Sequence, residues 1–287
     1  MRPVLIHFNH HKCGSTWVMH VVSQVCEYLG LRHAHFHSPK MFNYDLPKTA
    51  MDTNLDFVSY TSAQIKYIEN MENFLGFHVI RDPRDIMVSG YFSHRYSHPT
   101  EDWPELFEFR KTLVTLSRDE GLLANMEFTA KLKVDGYDLN LFDSMFNWNY
   151  SLPNILEVKF EDLVVNPYKN FFLIFDFLKI LEDAEFRTLP IFRHLVWHIL
   201  QKVTQRTPWV WRSYSIPHWV LFSIVNKNEF SRLAGGRKEG QENMKSHYRK
   251  GIPGDWKNHF NEEHKKFFKE NYNRLLVKLG YEKDDKW

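Results

Sequence analysis

The sequence has few cysteines, lacks a long apolar run and carries almost balanced charges. Two cysteines, Cys13 and Cys26, are too few for a disulfide framework, which favours a reducing compartment and predicts a cytoplasmic protein. No apolar run reaches the length of a membrane span, and residues 1–8 lack the pattern of a signal peptide. A net charge of +2 argues against nucleic acid as a partner.

Aromatic residues, by contrast, are abundant. They make up 16% of the 287 residues, and 43% of the residues are hydrophobic, which provides for a sizeable core and a pocket lined by rings. Strand-like apolar runs alternate with helical periodicity along the chain. This alternation predicts a single domain over residues 1–287 with a three-layer α/β/α fold and a central parallel sheet.

Individual elements follow from the same patterns. Strands are predicted over residues 4–8, 56–60, 74–80 and 155–160. Helices are predicted over residues 16–29, 83–93, 107–132, 139–149, 167–178 and 261–279. Residues 31–54 and 97–110 are predicted to be irregular. An aromatic-rich insertion near residues 187–225 is interpreted as a lid over a pocket, as a membrane-surface contact or as a helical hairpin on the core.

The first candidate site is the loop His11-Lys12-Cys13-Gly14-Ser15-Thr16-Trp17, between a predicted strand and a predicted helix. Backbone N–H groups at the start of a helix, together with the helix dipole, attract anions. Lys12 adds a positive charge, and Gly14 lets the backbone approach a ligand closely. The loop is not a Walker A motif, because its lysine precedes the glycine.

Two further strings place cations in loops. Arg81 ends a predicted strand, and Ser89 lies on the helix that follows. Arg249, Lys250 and Gly251 form a basic turn, which precedes the string Gly-Asp-Trp-Lys-Asn at 254–258. An arginine fork supported by further cations and amides suits a dianionic phosphate.

In this order, the three strings resemble the motifs of the sulfotransferases that use 3′-phosphoadenosine 5′-phosphosulfate (PAPS). The resemblance covers most of the chain, and the string at 254–258 is its most specific part. It implies a P-loop-like phosphosulfate loop in which Lys12 contacts the bridging oxygen of PAPS. It also implies a 3′-phosphate site at Arg81, Ser89 and the turn at 249–251.

The resemblance also implies that rings of the chain flank the adenine of PAPS. The full set of implied PAPS-binding residues is Lys12, Cys13, Gly14, Ser15, Thr16, Trp17, Arg81, Ser89, Phe160, Phe230, Arg249, Lys250 and Gly251. Phe160 stands where the family has tyrosine, so a hydroxyl is lost while the ring remains.

One family feature is missing. Many members carry Lys-x-His upstream of the arginine of the 3′-phosphate loop, and that histidine is the general base. The aligned stretch here is Ser59-Tyr60-Thr61, which contains no base. His11, the neighbour of Lys12, is therefore the first candidate for the base. Further candidates are His10, His33, His35, His37 and His94.

The resemblance implies an enzyme that moves a sulfuryl group from PAPS to a hydroxyl or amine of a small-molecule acceptor. In-line transfer would leave PAP (3′-phosphoadenosine 5′-phosphate) as the product, and no metal is expected. Two alternatives stay open at this point: a non-catalytic protein that binds PAP or another nucleotide, and a P-loop kinase. The sequence leaves the acceptor and the oligomeric state open.

Overall fold

The computed structural model describes residues 2–101, 103–134, 137–139, 141–182 and 215–287. Its strands are β1 (Val4–Asn9), β2 (His33–Phe36), β3 (Phe57–Tyr60), β4 (Phe74–Ile80), β5 (Lys133–Val134), β6 (Tyr137–Asp138) and β7 (Ile155–Lys159). Five of them form a wholly parallel sheet in the order β2-β3-β1-β4-β7, and β5 and β6 form a separate antiparallel pair. The predicted α/β architecture with a central parallel sheet is confirmed.

Helices flank this sheet. They are α1 (Ser15–Leu29), α2 (Leu46–Asp52), α3 (Pro83–Phe92), α4 (Pro104–Leu113), α5 (Arg118–Ala130), α6 (Leu141–Asn147), α7 (Phe160–Val165), α8 (Pro167–Phe177), α9 (His218–Lys227), α10 (Phe230–Leu233) and α11 (Glu262–Lys278). A π-helical turn over Ser93–Ser97 continues α3, and a 3₁₀ turn covers Asp255–Asn258. Within the described part of the chain, no helix has both the length and the apolar character needed to traverse a bilayer.

The sheet is buried on both faces, because successive side chains of a strand point to opposite sides. Leu5 and Phe77 pack with α1, α8 and α9 on one face. Ile6 and Phe8 pack on the other face with α2 and with Trp148. A further apolar cluster lies among α3, α5, α6 and α11. The result is a helical layer on each side of the sheet.

The strands β1 and β4 are neighbours, but the helices that follow them lie in different layers on the sheet. Helix α1 follows β1 and packs in the first cluster, whereas α3 follows β4 and packs in the cluster with α5, α6 and α11. In parallel α/β sheets, such a reversal opens a crevice at the carboxyl ends of the two strands, where ligands bind. The chain segments after β1, β4 and β7 therefore meet at one edge of the sheet.

Helix α3 is fixed at its start by a cap and by a contact with a distant turn. Asp82 accepts a hydrogen bond from the Arg84 backbone N–H at 2.9 Å, and Pro83 occupies the first helical position. Asp85 accepts from the backbone N–H groups of Gly254 (2.6 Å) and Trp256 (2.9 Å). The carboxylate of Asp85 thus connects α3 to the C-terminal 3₁₀ turn.

Several sequence predictions of local structure need correction. The segment 31–54, predicted to be irregular, contains β2 and α2, and the segment 97–110 contains most of α4. The helix predicted over 107–132 is broken between α4 and α5. Ser117 starts α5 there with a capping box, in which its hydroxyl accepts from the Glu120 N–H and the Glu120 carboxylate accepts from the Ser117 N–H. Most of the predicted insertion near 187–225 lies outside the described residues; α9 forms its described end.

We expect Asp85→Ala to lower the free energy of unfolding by about 2–4 kcal/mol, because two buried N–H donors lose their acceptor. Asp85→Asn keeps one acceptor oxygen and should cost about half as much. Urea denaturation followed by circular dichroism measures both values. Glu108→Ala, which removes an exposed ion pair with Lys111, is the control and should stay within about 0.5 kcal/mol of the parent. Equal stability of Asp85→Ala and the parent would contradict the proposed tie.

Candidate functional site

A cavity of about 790 Å³ opens at the carboxyl edge of the sheet. Its walls come from the loop between β1 and α1, from Arg81 after β4, from Phe160 after β7, from α10 and from the segment 247–253. These are the segments that the parallel sheet brings to a single edge. The strings that the sequence separates by more than half the chain therefore face one space.

The first wall is the start of α1. The first hydrogen bond of this helix runs from the Val18 N–H to the Gly14 carbonyl at 3.1 Å, so the N–H groups of Ser15, Thr16 and Trp17 precede the helical ladder. Gly14 has a φ of 79°, and a Cβ atom there would overlap the ring of Phe160. Only glycine suits this backbone conformation and this close approach.

Arg81 joins the β4 edge to the same loop. Its NH1 atom donates to the Lys12 carbonyl at 2.9 Å, and its guanidinium lies 4.7 Å from the centre of the Phe160 ring. The buried Nε atom of Arg81 has no hydrogen-bond partner among the described residues. Arg81 thus positions the loop through NH1, and its buried Nε–H group is available as a donor to a ligand.

Lys12 lies in an environment that opposes its positive charge. Burial lowers the pKa of Lys12 to about 7, and the nearby Arg81 and Arg249 contribute to the same shift. Lys12, Arg81 and Arg249 line the same cavity, so cations from all three strings face one space. A bound anion would reverse the shift by stabilising the ammonium form.

The third wall is the turn at 249–251, which is held by carboxylates. Asp255 pairs with Arg249 (NH2 to Oδ2, 2.6 Å) and with Lys250 (Nζ to Oδ1, 2.5 Å), and Glu242 also pairs with Arg249. Burial opposes ionisation of Asp255, but hydrogen bonds from His259 and Lys250 outweigh it and hold its pKa well below the usual range. Both cations therefore have fixed positions before any ligand arrives.

The side chain of Arg237 holds the segment that leads into this turn. Arg237 donates to the backbone carbonyls of Gln241 (2.8 Å), Tyr248 (2.5 Å) and Arg249 (2.8 Å). Gly251 has a φ of 71°, and a Cβ there would overlap the ring of Phe230. The turn is thus packed directly against α10.

Aromatic rings cover one end of the cavity. Trp17 lies edge-on to Phe160, with ring centres 6.2 Å apart, and edge-on to Phe171 at 5.6 Å. Phe230 reaches the cavity from α10. The buried Nε1 atom of Trp17 has no partner within the residues that the structure describes. Flat apolar surfaces with one unsatisfied donor suit a planar heterocycle.

The structure brings together all but one of the residues predicted to bind PAPS. Twelve line this one cavity, namely Lys12, Gly14, Ser15, Thr16, Trp17, Arg81, Ser89, Phe160, Phe230, Arg249, Lys250 and Gly251. Cys13 is the exception. Its side chain is buried in the cluster beneath α3, its thiol donates to the His11 carbonyl at 3.8 Å, and its N–H donates to the His10 carbonyl at 3.1 Å. Neither group of Cys13 is therefore directed at a ligand.

The candidate bases fall into two groups, those at or next to the cavity and those elsewhere in the fold. His11 lines the cavity beside Lys12, and His94 contacts His11 from behind. The other candidates lie elsewhere: His10 packs between His78 and Trp148, and His33 and His35 bond Ser59 and Thr61 at the far edge of the sheet. Neither His10, His33, His35 nor His37 lines the cavity.

Two histidines of the cavity wall were not singled out from the sequence. His98 and His247 line it together with His11, and burial lowers the pKa of each to about 4, so both are neutral at physiological pH. The ring of His98 is centred 5.6 Å from that of His11. His98 follows His94 by four residues, just beyond the helix that carries Ser89, and this spacing was the available signal for His98.

The described residues contain one group that could coordinate a metal ion. The ligand atoms of Glu242, Asp255 and His259 lie within 4.8 Å of one another. Both carboxylates already pair with Arg249, and Asp255 also pairs with Lys250. A metal ion there would have to compete with two cations, so the expectation of no metal remains a prediction.

Comparisons with known proteins agree with this geometry. A family model described as sulfotransferase domain matches residues 8–280. A search of curated proteins finds no match. Among solved structures, a mouse sulfotransferase (SULT7A1) complexed with PAP has a TM-score of 0.57 at 15% identity, over 96% of this chain and 86% of that chain.

A retinol dehydratase is similar in the same way. Its complex with androsterone and inactive cofactor PAP has a TM-score of 0.53 at 15% identity, over 96% of this chain and 81% of that chain. Its complex with retinol and PAP gives 0.53 at 14% identity, over 96% and 82%. At these identities the likeness concerns the fold.

The environment of Lys12 predicts an unusual titration. In the ligand-free protein, acylation of Lys12 by a small reagent should be half-maximal near pH 7, because the amine loses its proton there. Arg81→Met should move that midpoint upward, since it removes a neighbouring cation. Mass spectrometry of the modified peptide measures the profile, with the exposed Lys111 as internal reference. A Lys12 midpoint above pH 9 would contradict the assignment.

Proposed function

Because the chain belongs to the sulfotransferase family, as the match over residues 8–280 shows, we propose that it transfers a sulfuryl group from PAPS to a small-molecule acceptor. The observation that carries the proposal is the single cavity that holds Lys12, Arg81 and the basic turn at 249–251. PAPS has phosphate groups at its 3′ and 5′ positions and a planar base, and the cations and aromatic rings of this cavity suit those groups.

The cavity has the chemistry that PAPS requires. Five basic side chains lie on its walls together with the N–H groups at the start of α1, namely Lys12, Arg81, Lys238, Arg249 and Lys250. The orphaned donors on Arg81 and Trp17 add two groups that are buried without a protein partner in the described chain. A buried donor without an acceptor costs free energy until a ligand supplies the acceptor.

We assign the two ends of PAPS by the positions of these groups. The 3′-phosphate is assigned to Arg81, Ser89 and the turn at 249–251, where cations come from two separate segments. The 5′-phosphosulfate is assigned to the start of α1, where Lys12 and the helix N–H groups face the cavity. The adenine is assigned to the aromatic end at Trp17, Phe160 and Phe230.

The proposed reaction is an in-line displacement at sulfur. The acceptor oxygen or nitrogen forms the new bond to sulfur, and the bond from sulfur to the bridging oxygen breaks. The electron pair of that bond stays on the 5′-phosphate oxygen of PAP, where negative charge accumulates. Lys12 in its ammonium form neutralises that charge, and the helix N–H groups assist.

His11 is proposed to take the proton that the acceptor loses. It stands next to Lys12 in the chain and lines the same cavity. Burial and the neighbouring His94 and Lys12 hold its pKa well below the usual value, so the ring is neutral and carries one free lone pair. A neutral imidazole is the form that a general base requires.

The acceptor is proposed to be a small organic molecule with a hydroxyl or amine. The retinol dehydratase structures contain androsterone and retinol in their complexes, which are molecules of this size. Beyond the assigned PAPS groups, the cavity offers His98, His247 and Tyr248. A panel of phenols, steroid alcohols, sugars and amines, assayed with radiolabelled PAPS, identifies the class.

Lys12→Met tests the role of the lysine in transfer. The substitution keeps the length of the side chain and removes its charge, so the turnover number should fall about 10²–10³-fold. Affinity for PAP, measured by calorimetry, should change much less, because the other cations and the α1 amides remain. Turnover at the parental rate would refute the role of Lys12, and PAP binding without turnover in the parent itself would favour a binding protein.

Arg249→Met tests the assignment of the 3′-phosphate. Loss of a charged hydrogen bond of about 1.5–3 kcal/mol should weaken PAP binding about 10–100-fold, whereas binding of adenosine 5′-phosphate should change less than about threefold. Arg32→Met, on an exposed arginine paired with Asp56, is the matched control. Equal losses for both nucleotides would place the 3′-phosphate elsewhere, and thermal melts verify that each variant is folded.

A further inference from the structure

A chain of hydrogen bonds runs from α5 to His11. Asn125 donates from Nδ2 to the Met87 carbonyl at 3.2 Å, which turns its Oδ1 atom toward His94. That oxygen lies 2.7 Å from Nδ1 of His94, and Nε2 of His94 lies 3.1 Å from Nε2 of His11. His94 and Asn125 are fully buried, so neither has water as an alternative partner.

The order of donors and acceptors along this chain is determined by its first member. The Met87 carbonyl only accepts, so the Asn125 amide presents its oxygen, which also only accepts, to His94. Nδ1 of a neutral His94 must therefore carry the proton, and its Nε2 accepts. The bond to His11 can then form only if Nε2 of His11 carries the proton, which leaves the lone pair of His11 on Nδ1.

We propose that His94 and Asn125 are positioning residues that hold His11 in the tautomer whose Nδ1 can receive the acceptor proton. This inference rests on the proposed function, since it concerns the base of that reaction. Nδ1 of His11 has no hydrogen-bond partner among the described residues, and the ring lines the cavity beside Lys12. A neutral histidine in a fixed tautomer is the arrangement by which enzymes orient a base through a second residue.

Contacts with neighbouring rings also restrict the orientation of the His11 ring. The rings of His11 and His94 are stacked, with centres 5.3 Å apart and planes at 14°. Trp103 meets both rings edge-on, at 5.7 Å from His11 and 5.5 Å from His94. Arg110 donates to the His94 carbonyl at 2.5 Å and so holds the backbone of the π-helical turn.

The surroundings of His11 and His94 favour the neutral form of both rings. Burial, together with the neighbouring His94, Lys12, His98 and His247, holds the pKa of His11 well below the usual value. Burial lowers the pKa of His94 to about 3. In the reaction, Nδ1 of His11 takes the acceptor proton as the new bond to sulfur forms, and the imidazolium continues to donate from Nε2 to His94.

The tautomers are directly measurable in the ligand-free protein. Long-range ¹H–¹⁵N correlation spectra of histidine-labelled protein should show His94 protonated on Nδ1 and His11 protonated on Nε2. Free imidazole side chains prefer protonation on Nε2, so the assignment of His94 is the informative one. A spectrum with His94 protonated on Nε2 would overturn the proposal, whatever the activity.

A matched pair of variants tests the role of Asn125. Asn125→Leu keeps the size and removes the acceptor, so His94 should revert to protonation on Nε2 and force the proton of His11 onto Nδ1. Asn125→Asp keeps the acceptor and should keep both parental tautomers. With the best acceptor of the panel, the turnover number should fall about 10–100-fold in Asn125→Leu and less than about fivefold in Asn125→Asp. Equal turnover in the two variants would overturn the proposal.

Two further readouts separate this proposal from the proposed function. PAP affinity should be the same within about twofold in the parent, Asn125→Leu and Asn125→Asp, because the pair does not touch the assigned PAPS groups. Failure of the parent to bind PAP would contradict the proposed function. PAP binding with unchanged turnover in Asn125→Leu would contradict only the positioning role of His94 and Asn125. If Asn125→Leu does not fold, His94→Leu and His94→Gln give the same comparison, since glutamine retains an acceptor for the Nε2 proton of His11.

Discussion

The concentration of positive charge at one edge of the sheet is the constraint on which the rest of the structure depends. Lys12, Arg81 and Arg249 come from three distant segments, yet all three line one cavity, and the two arginines add to the effect of burial in lowering the pKa of Lys12. Such a cluster is unfavourable on its own and must be held by the remainder of the fold. The Arg81 bond to the Lys12 carbonyl and the Asp255 pairs with Arg249 and Lys250 provide this restraint.

Those restraints in turn need an ordered frame. The parallel sheet delivers the ends of β1, β4 and β7 to the same place, and the reversal between α1 and α3 opens the crevice between them. Asp85 then ties the C-terminal turn to α3, so the basic turn at 249–251 cannot drift from the β4 edge. Preorganised cations of this kind bind an anion without the cost of gathering them first.

Much of this arrangement could be predicted from the sequence, because it is encoded locally. Apolar runs marked the strands that lead into the site, Gly14 and Gly251 marked backbone positions that other residues do not suit, and the basic strings marked the walls. Contacts between residues far apart in the chain could not be predicted in this way. Packing between segments far apart in the chain determines three such features: the burial of Cys13, the approach of Asn125 to His94 and the pairing of Asp255 with the basic turn. The first turn of α4 was missed because Trp103, the residue before it, offers no capping side chain.

The π-helical turn at Ser93–Ser97 has a consequence for how the sequence of this part of the chain can vary. The His98 N–H reaches back to the Ser93 carbonyl at 2.7 Å, so this turn holds one residue more than an α-helical turn. A π turn fits its extra residue into about the same arc as an α turn, so loss of a single residue there would restore an α-helical turn and leave Ser89 and the preceding turns where they are. Only side chains within the turn, such as that of His94, would change direction. The turn can therefore gain or lose a residue in the course of evolution without disturbing the parts of the fold on either side of it.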